Sequence, residues 1–299
     1  MANESDNFFI PEILEEAVPG AFAGRKALLG SGAAIVKPGL PMGSRPGGNK
    51  VVVPYLDTIG ELEDLVHEND ALSSSELTMS SEEAEVQHSG KKFSIGEYAQ
   101  MVAEYADPYG AAATQIADAV MRRADKALID VATASGLPSE MVKNVWSSGT
   151  PRSLDYDLMV DAKMAWGDEQ DDLALIVMHS KVLGDLYKIK ETTGKPILTG
   201  MEGGDIVRFA GVPVKVSDRM PVDTTNPSHP KYTTALVKKG ALVFWYAKKP
   251  RILEDHDIDT DRREMAVHVY WAAHRYGRLP GVTRGGVVLI KHNAGEGSV

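Results

Sequence analysis

Between Pro54 and Gly90 the chain carries ten acids and not one lysine or arginine. The acids are Asp57, Glu61, Glu63, Asp64, Glu68, Asp70, Glu76, Glu82, Glu83 and Glu85. Val51-Val52-Val53-Pro54 opens the stretch in extended form, and alternation appears at Glu61–Val66 and again at Ala84–Val86. Asn69-Asp70 and Ser73-Ser74-Ser75 lie between them. This pattern predicts a long two-stranded hairpin with a polar middle. A hairpin alone is marginal in water, and like charges along it repel. Three arrangements satisfy that constraint. The ribbon packs on the body of its own domain, lies over a neighbour that supplies positive charge, or stays solvated as an acidic loop.

The chain has 299 residues, enough for one large domain or two ordinary ones. With 43% hydrophobic and 25% charged residues it is not a wholly disordered polymer. It contains no cysteine, which excludes disulfides, thiolate zinc sites, iron–sulfur clusters and a cysteine nucleophile. The net charge of −10 predicts a surface that repels nucleic acid, so any contact with DNA is expected to be non-specific. No run approaches 18 apolar residues, and no membrane contact is expected. The opening MANESDNFFIPEILEE has no basic start and no long apolar run, so a secretory signal is not expected. These features point to a soluble protein made in a cell interior.

Residues 1–50 hold eight glycines and five prolines, 13 of the 44 in the whole chain, and predict little regular structure. A short helical patch is expected at Pro11–Val18. Phe8, Phe9, Ile10 and Leu28-Leu29 are poor choices for a solvated tail, which favours an arm lying on other subunits over a free tail.

Ser94 followed by Glu97 suggests a capping box and a helix start. Asp107-Pro108 predicts a second helix, with Asp as cap and Pro at the first position. Ile116, Val120, Ala124, Ala127, Leu128 and Val131 recur every three or four residues, while Arg122, Arg123, Asp125 and Lys126 fall mostly on the other side. Gly136 and Pro138 stop the pattern, giving a spine of roughly 42 Å at the usual helical rise. Helices are expected over Leu154–Trp166 and Lys181–Lys190. Strands are expected at Leu173–Met178, across a turn at Gly211 within Ile206–Ser217, at Leu236–Tyr246, at Met265–Trp271 and at Val287–Ile290. The body reads as mixed α+β.

No reaction centre emerges. Asp255, Asp257, Asp259 and Asp261 imitate the opening of a calcium loop, but the sixth and twelfth positions hold Thr260 and Ala266 in one register and Arg262 and His268 in the other. In a strand, that series places four carboxylates on one wet face. His268 and His274 are six apart and form no metal motif. The stretch Gly43–Lys50 lacks phosphate-loop spacing. No catalytic residue, cofactor or metal is expected. Short basic pairs occur at Lys91-Lys92, Arg122-Arg123, Lys238-Lys239, Lys248-Lys249 and Arg262-Arg263, and the four beyond the hairpin are candidates to receive the acidic ribbon of a neighbour.

This order of parts resembles the major capsid proteins of tailed double-stranded-DNA phages, the Hong Kong 97-type fold. The likeness runs from about Val51 onward. It rests on the Val-Pro-opened acidic hairpin, the Gly-Lys-Lys-Phe-x-Ile strand end, the helix break at Asp107-Pro108, Gln115-x-x-x-Ala119…Arg123-x-Asp125, IVMHSKVLGDLYK and GVPVKVSDRMP. It implies an N-terminal arm at 1–50 and an extended hairpin loop at 51–93. A peripheral domain with its spine helix would span 94–150, a mainly axial domain 151–260, and return strands of the peripheral domain 261–299. It implies self-assembly into hexamers and pentamers of an icosahedral head in the virion, made in the host cytoplasm. Further implied partners are a separate scaffolding protein, a portal and decoration proteins. The subunit-interface candidates are Glu61, Glu63, Asp64, Glu68, Asp70, Arg122, Arg123, Lys126, Phe8 and Phe9. Axial loops around Gly194–Gly204 are expected to meet at capsomer centres. No Lys–Asn pair is singled out for a covalent crosslink. An encapsulin-type shell is the second reading. A soluble α+β enzyme using Asp255, Asp259 and His268 is a distant third.

Overall fold

The computed structural model describes residues 27–40, 49–56, 74, 76, 78–96, 108–188, 208, 209, 211–259, 261–277 and 284–294. Three strands come first: β1 (Ala34–Pro38), β2 (Lys50–Leu56) and β3 (Met79–Gly96). A long helix α1 (Pro108–Thr133) follows, then β4 (Val142–Asn144), α2 (Tyr156–Met164), β5 (Leu173–Met178) and α3 (Ser180–Lys188). The chain continues through β6 (Arg208–Phe209), β7 (Val212–Val216), β8 (Val222–Asp223) and β9 (Lys231–Lys238). It closes with β10 (Leu242–Asp257), β11 (Arg262–Arg275) and β12 (Val287–Asn293).

These strands make two sheets. One has five strands in the order β1-β10-β11-β3-β2. The other runs β4-β12-β9-β5-β7-β6, with β8 added beside β9. The long helix binds both. Ile116, Val120, Ala124, Ala127 and Leu128 of α1 share one core with Phe244, Val267, Val269 and Trp271 of the first sheet. Leu175, Val177, Val237, Val287 and Leu289 of the second sheet join the same core. The alternate residues Ile176, Met178, Leu236, Val288 and Ile290 face a second core built with Leu158, Met159 and Trp166 and with Val182 and Leu186. Strand β5 is therefore covered on both faces, which is why LALIVM is an unbroken apolar run rather than an alternating one. Each such large side chain contributes about 1.5–3 kcal/mol on burial.

Helix α1 opens on Pro108, as expected from its sequence. Its far end is closed from a distance. Arg275 donates from its guanidinium to the carbonyls of Val131, Ala132, Ala134 and Ser135 at 3.0–3.3 Å. A cation there satisfies orphan carbonyls and complements the helix dipole.

Three expectations need correction. Ser94 does not cap a helix: it lies in β3, paired with Glu264, and the strand runs on to Gly96. Leu236–Tyr246 is not one strand, because Gly240, at φ +67°, turns the chain between β9 and β10. Within residues 1–50, β1 pairs in parallel with β10 from Ala34↔Leu242 to Pro38↔Tyr246. Strands β10 and β11 pair through Asp257↔Arg262, and β12 joins the other sheet. The four aspartates do not share a strand face. Asp255 and Asp257 end β10, Asp259 donates its backbone N–H to Asp257 at 3.1 Å, and Asp261 sits in the turn at φ 48°.

Candidate assembly surface

Strands β2 and β3 form the described root of the acidic ribbon. They pair from Lys50↔Glu85 to Leu56↔Met79, and β3 then runs on beside β11. Three of the ten acids are thereby placed, each with its own partner. Glu83 takes the Lys50 ammonium at 2.6 Å, an exposed pair, and Glu85 accepts from the Asn49 side chain at 3.0 Å. Glu82 turns inward: its Oε2 lies 2.6 Å from His274 Nε2, and Gly277 donates its backbone N–H to Oε1 at 3.0 Å. Exposed pairs of this kind contribute little. The Glu82 contact is partly buried and joins the ribbon's root to β11, so the root packs on its own body.

A cavity of about 470 Å³ lies between α1 and the five-stranded sheet, on the sheet face opposite the Glu82–His274 contact. Val120, Ala124, Phe244, Val269 and Trp271 line it, and Arg123 stands at its edge. The Arg123 guanidinium covers the Trp271 ring at 5.0 Å and donates to Gln87 at 3.4 Å. Arg122 and Lys126 are exposed on the helix. Arg122 donates back to the Asp118 carbonyl at 3.3 Å, and its own carbonyl accepts from Arg219 at 3.0 Å.

Of the interface candidates, Arg122 and Lys126 thus lie on one exposed stretch of α1, and Arg123 is engaged within the subunit. Glu61, Glu63, Asp64, Glu68, Asp70, Phe8 and Phe9 lie outside the described residues, as do the short helix expected at Pro11–Val18 and the loops near Gly194–Gly204. Two sequence readings fail here. Leu28 and Leu29 are buried in the chain's own core, so that end of the arm rests on its own subunit. Asp125 is not on the wet side of α1. It is 2% exposed and accepts the backbone N–H groups of Leu28 and Leu29 at 2.9 and 3.3 Å. Among the basic pairs, Lys238 is fully buried beneath Trp166, 3.8 Å from Glu169, and cannot receive a neighbour's carboxylate. Burial lowers its ammonium pKa. Lys92 already pairs with Glu264.

No group of three or more histidines and carboxylates converges among the described residues. Asp255 and Asp259 sit at the turn end of the β10–β11 hairpin, while His268 is engaged with His88. The described residues offer a ribbon root, two sheets and a helical strut joining them.

That architecture is a phage capsid fold. The chain is similar to the capsid of Ralstonia phage GP4, with TM-score 0.65 and 10% identity over 88% of each chain. It is similar to the capsid of a native GTA particle, with TM-score 0.62 and 17% identity over 90% of this chain and 92% of the other. An encapsulin from Synechococcus elongatus also shares the fold, with TM-score 0.55 and 11% identity over 75% and 80% of the two chains. No curated protein matches it in sequence. The family model for major capsid protein 13-like proteins, Gp13-like, matches residues 64–273, and the chain belongs to that family. It is a structural shell protein of the virion capsid, a subunit that works in many copies and not an enzyme.

Proposed function

We propose that the chain forms the hexamers and pentamers of the icosahedral head of a tailed double-stranded-DNA phage, with Hong Kong 97-type anatomy. In this reading α1 is the spine of a peripheral domain completed by the five-stranded sheet. The second sheet with α2 and α3 forms the axial domain, whose loops around Gly194–Gly204 meet at capsomer centres. The acidic ribbon lies over a neighbour, where Arg122 and Lys126 receive Glu61, Glu63, Asp64, Glu68 or Asp70. The arm carrying Phe8 and Phe9 straps an adjacent subunit. Assembly takes place in the host cytoplasm with a separate scaffolding protein, a portal and decoration proteins, and packaged DNA is contacted non-specifically.

One observation carries this reading. The β2–β3 ladder ends at Leu56↔Met79, and the 22 residues that connect these two carry seven acids and no lysine or arginine. So long a connection of one charge sign repels itself, which fits a ribbon whose partner is a neighbouring subunit. Replacing residues 57–78 with Asn-Gly closes the same ladder with a two-residue turn. The variant is expected to fold with the wild-type unfolding midpoint and to stop at capsomers or monomers in sedimentation and electron microscopy. Shells of normal size from that variant would defeat the reading.

The encapsulin likeness supports a second reading, a nanocompartment enclosing an enzyme. The contents of purified particles discriminate: DNA supports the phage head, a packaged enzyme the compartment.

A further inference from the structure

His88 and His268 lie outside every contact the assembly reading uses. They stand on the adjacent antiparallel strands β3 and β11, where His88 pairs with Tyr270 and Gly90 with His268. This diagonal placement brings His88 Nε2 to 3.0 Å from His268 Nδ1 at the surface. Two features hold the rings there. Tyr270 stacks on the His88 ring, with centroids 4.3 Å apart and planes within 7°. Gly90 leaves room for the other ring, since a Cβ at that position would lie 3.1 Å from His268 Nδ1 and 2.8 Å from the Val267 carbonyl oxygen.

We propose that His88 and His268 form a two-imidazole chelate for a borderline divalent transition ion, Zn²⁺ or Ni²⁺, which clamps β3 to β11 where the ribbon joins the sheet. Imidazole nitrogens bind such ions at about 2.0–2.1 Å, so two on one ion stand about 2.9 Å apart at a right angle and about 3.3 Å apart in a tetrahedron. The observed 3.0 Å lies between these values. The ion sits beside the line joining the two nitrogens, each ring swinging to aim its lone pair at it, and the hydrogen now shared between them is displaced. The ring that carried that hydrogen holds it instead on its outer nitrogen, so both rings stay neutral and both inner lone pairs are free to bind. Water completes the coordination. Arg251 stands across from His268 on β10 and adds positive charge to the same face. That charge disfavours Ca²⁺ or Mg²⁺, which are held by anionic oxygens, and leaves ions that bond to neutral imidazole.

The test is calorimetric titration of the untagged full chain with ZnCl₂ and NiCl₂. One ion per subunit is expected. His88→Gln and His268→Gln should each weaken binding about tenfold or more, because losing either ring removes the chelate's high effective concentration. Wild-type protein gives an independent readout. Zn²⁺ should protect His88 and His268 together from acylation by diethyl pyrocarbonate, read by mass spectrometry, with the other histidines modified as before. Binding that survives in the double variant, or Zn²⁺ binding that leaves these two histidines reactive, would overturn the proposal.

Discussion

His292 shows how a single buried side chain sets a response of the whole fold. It is fully buried in β12, its Nε2 lies 3.0 Å from the Thr234 hydroxyl, and its Nδ1 lies 2.8 Å from the Asn293 carbonyl oxygen. Burial holds its pKa down to about 4, against the opposing pull of the Asn293 carbonyl and the Asp185 carboxylate. The native protein therefore refuses a proton that the unfolded chain accepts near the ordinary histidine value of about 6.5. The stabilisation is fully present above that value and is lost as pH falls toward 4, about 3 kcal/mol in all. Denaturant titrations between pH 7 and pH 4 should show that decline, and His292→Gln should flatten it by the same amount. An unchanged slope in the variant would assign the acid sensitivity elsewhere. Asp125 is the residue that sequence reading missed outright. Flanked by Arg122, Arg123 and Lys126, it reads as part of a solvated charged face. Its partners are the amides of Leu28 and Leu29, more than ninety residues away, and no local pattern announces such a contact.

At the scale of elements, legibility followed burial symmetry. The helix α1 and the strand β5 were plain because their apolar periods are set by the faces they cover. Val267, Val269 and Trp271 alternate in β11 because one face of that strand meets α1. Ser94 misled because a capping-box spacing is a local signal, and β3 gains a full ladder with β11 by staying extended. The boundary between β9 and β10 was passed over because apolar runs lie on both sides of Lys238-Lys239-Gly240, where the chain turns at Lys239 and Gly240. At φ +67° an L side chain is strained, and a Cβ there would stand 3.3 Å from Ile35 Cδ1. Ile35 is half exposed and can give way, so the cost of Gly240→Ala is chiefly conformational, about 1–2 kcal/mol. A lower thermal midpoint with intact far-UV circular dichroism is the expected result, and an unchanged midpoint would show that this turn tolerates another geometry.

For the molecule as a whole, the charge distribution separates folding from assembly. Arg122 and Lys126 are exposed on α1, where charge changes alter subunit stability by no more than about 0.5 kcal/mol. The double reversal Arg122→Glu/Lys126→Glu is accordingly expected to leave the unfolding midpoint of the subunit in place while sedimentation shows a loss of shells. Normal shells would remove these residues from the subunit interface. The amino-acid order by itself determined the mixed α+β class, the long helix, the run of acids without lysine or arginine and the lack of thiols, because period, composition and charge are local properties. Only the tertiary structure decided that Asp125, Lys238 and His292 are interior, that β1 enters the first sheet and β12 the second, and that two histidines 180 positions apart meet at 3.0 Å. Those facts depend on which distant segments pack together, and a one-dimensional pattern records the face a residue turns inward without naming what it meets there.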